Sequence, residues 1–142
     1  MTDLRRLFSE LVRLETESWN AIDARLRADF GIALGKFEFL ELIDRVDGCR
    51  VQDIARELAI TVGGTSKLVD RIEAAGDCRR RSNPEDGRSS VISLTAKGKR
   101  LLAEAGAVVD EELEAWFGAH LSPRELDRLS ATLTRLREKG RR

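Results

Sequence analysis

Val51-Gln52-Asp53-Ile54-Ala55-Arg56-Glu57-Leu58, the run from Thr61 to Gly76, and Cys78-Arg79-Arg80-Arg81-Ser82-Asn83-Pro84-Glu85-Asp86-Gly87-Arg88 with its return to Leu94 decide the fold of this chain. Ile54, Ala55 and Leu58 fall on one face of a short helix. Thr61 offers a hydroxyl N-cap to a second helix, which runs to about Ala75 and stops at Gly76 as a C-cap should. Ala55 is small enough for the two helices to cross closely, and Ile54, Leu58, Ile60, Leu68 and Ile72 are expected to fill the crossing. After Gly76 the apolar period becomes extended. Cys78 to Ser82 and Arg88 to Leu94 read as two short strands around a Pro, Asp and Gly turn.

On the N-terminal side, Leu4, Leu7, Phe8, Leu11, Leu14, Ile22 and Leu26 recur at spacings of a long amphipathic helix, broken at Phe30-Gly31-Ile32. A second helix passes through Phe37, Phe39, Leu40, Leu42 and Ile43 and halts at Asp47-Gly48. On the C-terminal side Thr95 caps a helix through Leu101, Leu102, Val108, Val109, Leu113, Trp116 and Phe117. Ser122-Pro123-Arg124-Glu125 combines an N-cap serine, a first-turn proline and a capping-box glutamate. Leu126, Leu129, Leu133 and Leu136 behind it make a two-heptad seam that suits packing against other helices. The fold class expected is mainly α with a small β element, a winged helix-turn-helix between N- and C-terminal dimerisation helices. Residues 1–142 read as one domain, with the lobe at 34–98 and the dimerisation helices at 1–30 and 99–142.

The formal net charge of zero conceals a partition. Residues 50–100 carry 11 Lys and Arg against 7 Asp and Glu, a net of +4, and the flanking segments restore the balance. No apolar run reaches the length of a membrane span, and the charged N-terminus lacks the apolar stretch of a secretory signal, so a cytoplasmic protein is expected. Cys49 and Cys78 fit neither a zinc spacing nor a disulfide framework with the single His120. They read either as free thiols of the interior or as a redox sensor. No nucleophile and base pair, metal cluster or phosphate-binding glycine loop points to an enzyme, and no cofactor is expected.

A helix pair with an attached basic hairpin has the shape to place its second helix in a major groove of DNA and its hairpin along the backbone. Gly63 and Gly64 in the first turn of that helix cannot read base edges; they mark either sequence drift or close approach of Gly64 and its neighbour to a phosphate. Direct readout then falls to Val62, Thr65, Ser66 and Lys67 beside Thr61, with Gln52, Arg71, Arg80 and Arg81 toward phosphates. Trp19 and Trp116 read as core or dimer packing. A winged-helix adaptor without a DNA role is the other class that fits.

Leu58-Ala59-Ile60-Thr61, Ser66 to Gly76, Arg81, Asn83 to Arg88, and Leu94-Thr95-Ala96-Lys97-Gly98 together resemble the winged helix-turn-helix core of MarR-type transcriptional regulators. The resemblance implies a C2 homodimer on a pseudo-palindromic operator of double-stranded DNA, most often a repressor. It also implies that Asp86 pairs with an Arg to shape the wing tip, that Arg88 enters the minor groove, and that a small aromatic effector binds in a crevice where Trp19 lies. A thiol-based sensor is the alternative release mechanism. Two positions depart from the family pattern: Thr65 stands where a β-branched apolar residue is usual, and Asp77 follows the helix-ending glycine in place of an apolar residue. Asp77 is expected at a partly exposed position or paired with a wing arginine.

Overall fold

The computed structural model describes residues 1–82, 85 and 90–140. Helix α1 (Leu4–Phe30) begins at an Asp3 cap and ends at Gly31, whose φ of 68° lets the chain turn back. Helix α2 (Leu34–Arg45) has no cap of its own: Asp23 on α1 accepts the Leu34 backbone N–H at 2.9 Å and fixes the α1–α2 corner. Helices α3 (Val51–Leu58) and α4 (Val62–Ala74) follow, joined by Ala59 in the left-handed conformation. Strands β1 (Cys78–Ser82) and β2 (Ser90–Leu94) pair antiparallel, Arg80 opposite Ile92. The Ile92 N–H on the far edge of β2 donates to the Cys49 carbonyl at 2.7 Å, which ties the hairpin to the segment before α3.

Helix α5 (Ala96–Leu113) passes into a π-helical turn (Glu114–Gly118), and α6 (Pro123–Gly140) closes the described chain. Trp116 and Phe117, expected within the fifth helix, therefore lie in the π-helical turn. The Ser122 capping box forms as its sequence implies, with Ser122 N–H donating to Glu125 and Glu125 N–H to the Ser122 hydroxyl.

Two apolar clusters hold these elements. One joins α2, α3, α4 and the hairpin through Leu40, Ile43, Ile54, Val69, Ile72, Cys78 and Ile92. The other joins the second half of α1 to α2 and α5 through Ile22, Leu26, Phe37, Ala105 and Val109. Ile54 and Ile72 fill the α3–α4 crossing as expected and Leu58 and Leu68 pack at its edge, but Ile60 is 39% exposed because the Ala59 turn swings it outward. The first half of α1 buries nothing. Leu4, Leu7, Phe8, Leu11 and Leu14 all face outward, as do Leu129, Leu133 and Leu136 on α6.

Candidate nucleic-acid interface

Helix α4 starts where the Thr61 hydroxyl accepts the Gly64 N–H at 3.0 Å. Around that start Val62, Gly63, Gly64 and Lys67 are exposed, Ser66 is half-buried, Arg71 is exposed further along, and Gln52 is exposed on the first turn of α3. A Cβ added at Gly63 would meet nothing within 4 Å, so packing does not demand glycine there. Thr65 does not belong to this surface. It is fully buried, and its hydroxyl donates to the Thr61 carbonyl at 2.7 Å. The methyl packs inward and the hydroxyl is satisfied within the helix, which leaves nothing to read a base.

The wing arginines divide by strand geometry. Successive side chains of a strand point to opposite faces, so Arg79 and Arg81 are exposed while Arg80 lies on the face of Cys78 and Ile92. Arg80 was expected on a phosphate; instead its guanidinium is taken by α4. It reaches Asp70 at 2.5 Å, Glu73 at 3.4 Å and the Ser66 carbonyl at 3.1 Å, while its backbone N–H donates to Glu73 at 2.9 Å. Asp86 and Arg88 lie outside the described residues.

Asp77 is neither exposed nor bound to a wing arginine. It is 2% exposed and pairs with Lys36 of α2 at 2.6 Å; its other oxygen, Oδ1, has no hydrogen-bond partner among the described residues. A carboxylate this deep depends on its counter-ion, so Lys36 holds the junction between α4 and β1 against α2. The sequence carried no sign of this pairing across 41 positions.

Trp19 borders a groove of about 270 Å³ between α1, α2 and α5, floored by Ile22, Leu34, Phe37, Val109 and Leu113. Its polar lining is Glu15, Ser18, Glu38 and Glu41, with no cation. Burial first, and then the charge of Glu41, push the Glu38 carboxyl above the usual carboxylate range. Cys49 and Cys78 are both buried, and burial pushes each thiol up to about 11. At neutral pH such thiols are almost wholly protonated. Among the described residues no group of His, Cys, Asp and Glu is placed to hold a metal, and no helix is long and apolar enough to cross a membrane.

A helix-turn-helix followed by a basic two-stranded wing, between long flanking helices with outward apolar faces, defines a winged helix-turn-helix protein. A sequence model of the MarR family matches residues 30–89. The fold is that of AbsC, a MarR family transcriptional regulator from Streptomyces coelicolor, with a TM-score of 0.89 at 21% identity over 99% of this chain and 97% of that one. MepR of S. aureus, solved as a DNA complex, is 26% identical with a TM-score of 0.78, over 98% of this chain and 99% of MepR. An HTH-type transcriptional repressor of Mycobacterium tuberculosis is 30% identical over 79 residues, 56% of this chain and 57% of the relative. The chain spans about half the length of the curated relatives it matches. Over residues 30–89 in sequence, and over nearly its whole length in fold, it is similar to the MarR family.

Proposed function

We propose that the chain is a sequence-specific DNA-binding transcriptional regulator, acting as a homodimer on a pseudo-palindromic operator. One observation carries the reading. On α4 and the wing the acids Asp70 and Glu73 are engaged by Arg80, while Lys67, Arg71, Arg79 and Arg81 stand exposed without an ion-pair partner among the described residues. Unpaired positive charge on a recognition helix and its wing is what phosphate neutralisation requires. A protein-binding adaptor has no need of it.

Support for the dimer comes from area. The chain exposes 10191 Å², whereas a compact monomer of its mass exposes roughly 7,400 Å². The excess of about 2,800 Å² is large enough for an obligate interface, and the exposed apolar side chains of α1 and α6 are where this reading puts that interface. In this reading residues 34–98 form the DNA-binding lobe, and 1–30 with 99–142 form the dimer.

Selection of binding sites from a random duplex pool tests the proposal. The expected product is an inverted repeat with half-sites one helical turn, about 34 Å, apart. On that site Lys67→Ala should cost about 1 to 3 kcal/mol and much less on unrelated DNA. A pool that stays unenriched contradicts sequence-specific binding.

The same reading extends to repression relieved by a small aromatic ligand in the Trp19 groove. Supporting it are the groove's apolar floor, its indole and the repressor named among the relatives. The acidic rim turns the expected ligand away from an aromatic anion, because Glu15, Glu38 and Glu41 would repel it and no lining cation would receive it. A neutral or cationic aromatic fits better. The thiol alternative has less support, since neither buried cysteine is a ready nucleophile.

A further inference from the structure

Arg80 makes more polar contacts than any other wing residue described, and every one of them runs to α4. Nη1 reaches Asp70 Oδ1 and Glu73 Oε1, Nη2 reaches the Ser66 carbonyl and hydroxyl, and the backbone N–H of Arg80 donates to Glu73 Oε2. These contacts cover two turns of the recognition helix, from Ser66 to Glu73, and grip it from the middle of β1. With its side chain only 23% exposed, the guanidinium has little surface left for a phosphate.

We propose that Arg80 is a positioning residue for DNA recognition, which fixes the wing at a set distance and angle from the recognition helix and so decides which sequences bind, without touching DNA. The proposal rests on the DNA-binding reading above. Its physical content is that the two DNA-facing elements have few other ties. The described wing meets the lobe through Cys78, Ile92 and Leu94 in the core, the Cys78 thiol on the Val69 carbonyl of α4 and the Ile92–Cys49 bond, whereas Arg80 alone among the described wing residues bridges from β1 to α4 with charge. Arg80 also neutralises Asp70 and Glu73. Released, these two carboxylates would stand on a helix meant to approach phosphates, and like charges brought together there would weaken binding.

The guanidinium fork matters as much as the charge, because it reaches a carboxylate and a backbone carbonyl at once. A lysine ammonium is a point charge and cannot reproduce both. Arg80→Lys therefore separates a strut from a phosphate contact, which lysine serves well.

The test uses the full chain, an inverted repeat selected by it, and an unrelated duplex of equal length, with affinities measured across a range of KCl concentrations. For Arg80→Lys, which keeps the charge beside Asp70 and Glu73, the expected result is a loss of tenfold or more on the selected repeat, little change on the unrelated duplex, and an unchanged salt slope. Arg80→Ala should show the same loss of selectivity together with a smaller weakening on both duplexes from the two released carboxylates. Arg81→Ala serves as the reference for a phosphate contact, with equal losses on both duplexes and a slope lower by about one. Asp70→Asn with Glu73→Gln should reproduce the lost selectivity while tightening binding to the unrelated duplex. An Arg80→Lys variant like the wild type, together with an Arg80→Ala slope lower by about one, would overturn the proposal in favour of a phosphate contact. Amide hydrogen exchange without DNA gives a second readout. Exchange in β1 and β2 should rise at least tenfold in Arg80→Lys while α1 and α5 keep theirs, and unaltered exchange in the strands would equally overturn it. A wild-type chain that binds neither duplex would sink the regulator reading itself, and strand exchange would still decide whether Arg80 holds the wing.

Discussion

A Cβ built at Gly98 would stand 1.9 Å from the Asp77 carbonyl oxygen. That contact explains the Leu94-Thr95-Ala96-Lys97-Gly98 run: the Thr95 N–H donates to the same carbonyl, its hydroxyl donates to Gly76 and accepts from Gly98, and the start of α5 lies against the α4–β1 junction. Gly98→Ala should therefore cost about 1 to 3 kcal/mol, as overpacking against backbone does; a denaturation midpoint equal to the wild type would refute the close approach. Ala59 is the opposite case. Its φ of 54° is a strain on an L-residue, of about 1 to 2 kcal/mol, which Gly would relieve at roughly 0.5 to 1 kcal/mol of chain entropy. Ala59→Gly should thus stabilise the chain by about 0.5 kcal/mol in urea denaturation, and a loss of stability would contradict the assigned turn. Residue-scale roles were the hardest to read from sequence. Thr65 and Arg80 carry polar groups that fit DNA, and only the inward rotation of α4 and the alternation of β1 assign them to the interior and to Asp70. For Arg80 the signal was present, since three consecutive residues of a strand cannot share a face.

Elements were more legible, because caps and apolar periods are local. Gly31, Thr61, Gly76, Thr95 and Ser122 each mark a boundary close to where the chain turns. The start of α2 was not legible as a cap, since its acceptor comes from Asp23, 11 positions earlier. The Leu34 N–H bond first, and then Arg27, hold the Asp23 carboxyl below its ordinary 3.8. A carboxylate with a lowered folded pKa contributes stability at pH above its unfolded value, and loses it as pH falls through the folded one. Asp23→Ala should therefore destabilise the chain by about 1 to 2 kcal/mol near neutral pH, the cost of a lost cap, and by progressively less as pH falls below 3.8. A difference from wild type that stays constant down to pH 2 in chemical denaturation would show that Asp23 does not cap α2.

At the scale of the whole molecule, the apolar face of the first half of α1 and that of α6 have no cover among the described residues. If they meet a second copy, Leu133→Asp places a carboxylate in that interface without a partner and should give monomers or unfolded chain in sedimentation. A folded dimer of this variant would move the interface elsewhere. Both helices were readable from their period, but what they cover was not, because a seam of leucines fits any apolar partner. The central claim is that recognition helix and wing act together on phosphates, and salt dependence tests it most directly. Affinity of the full chain for the selected inverted repeat, measured from low to high KCl, should fall with a log–log slope that reports several phosphate contacts, with one dimer bound per duplex. An affinity that does not change with salt, or a stoichiometry of one monomer per duplex, would contradict the account.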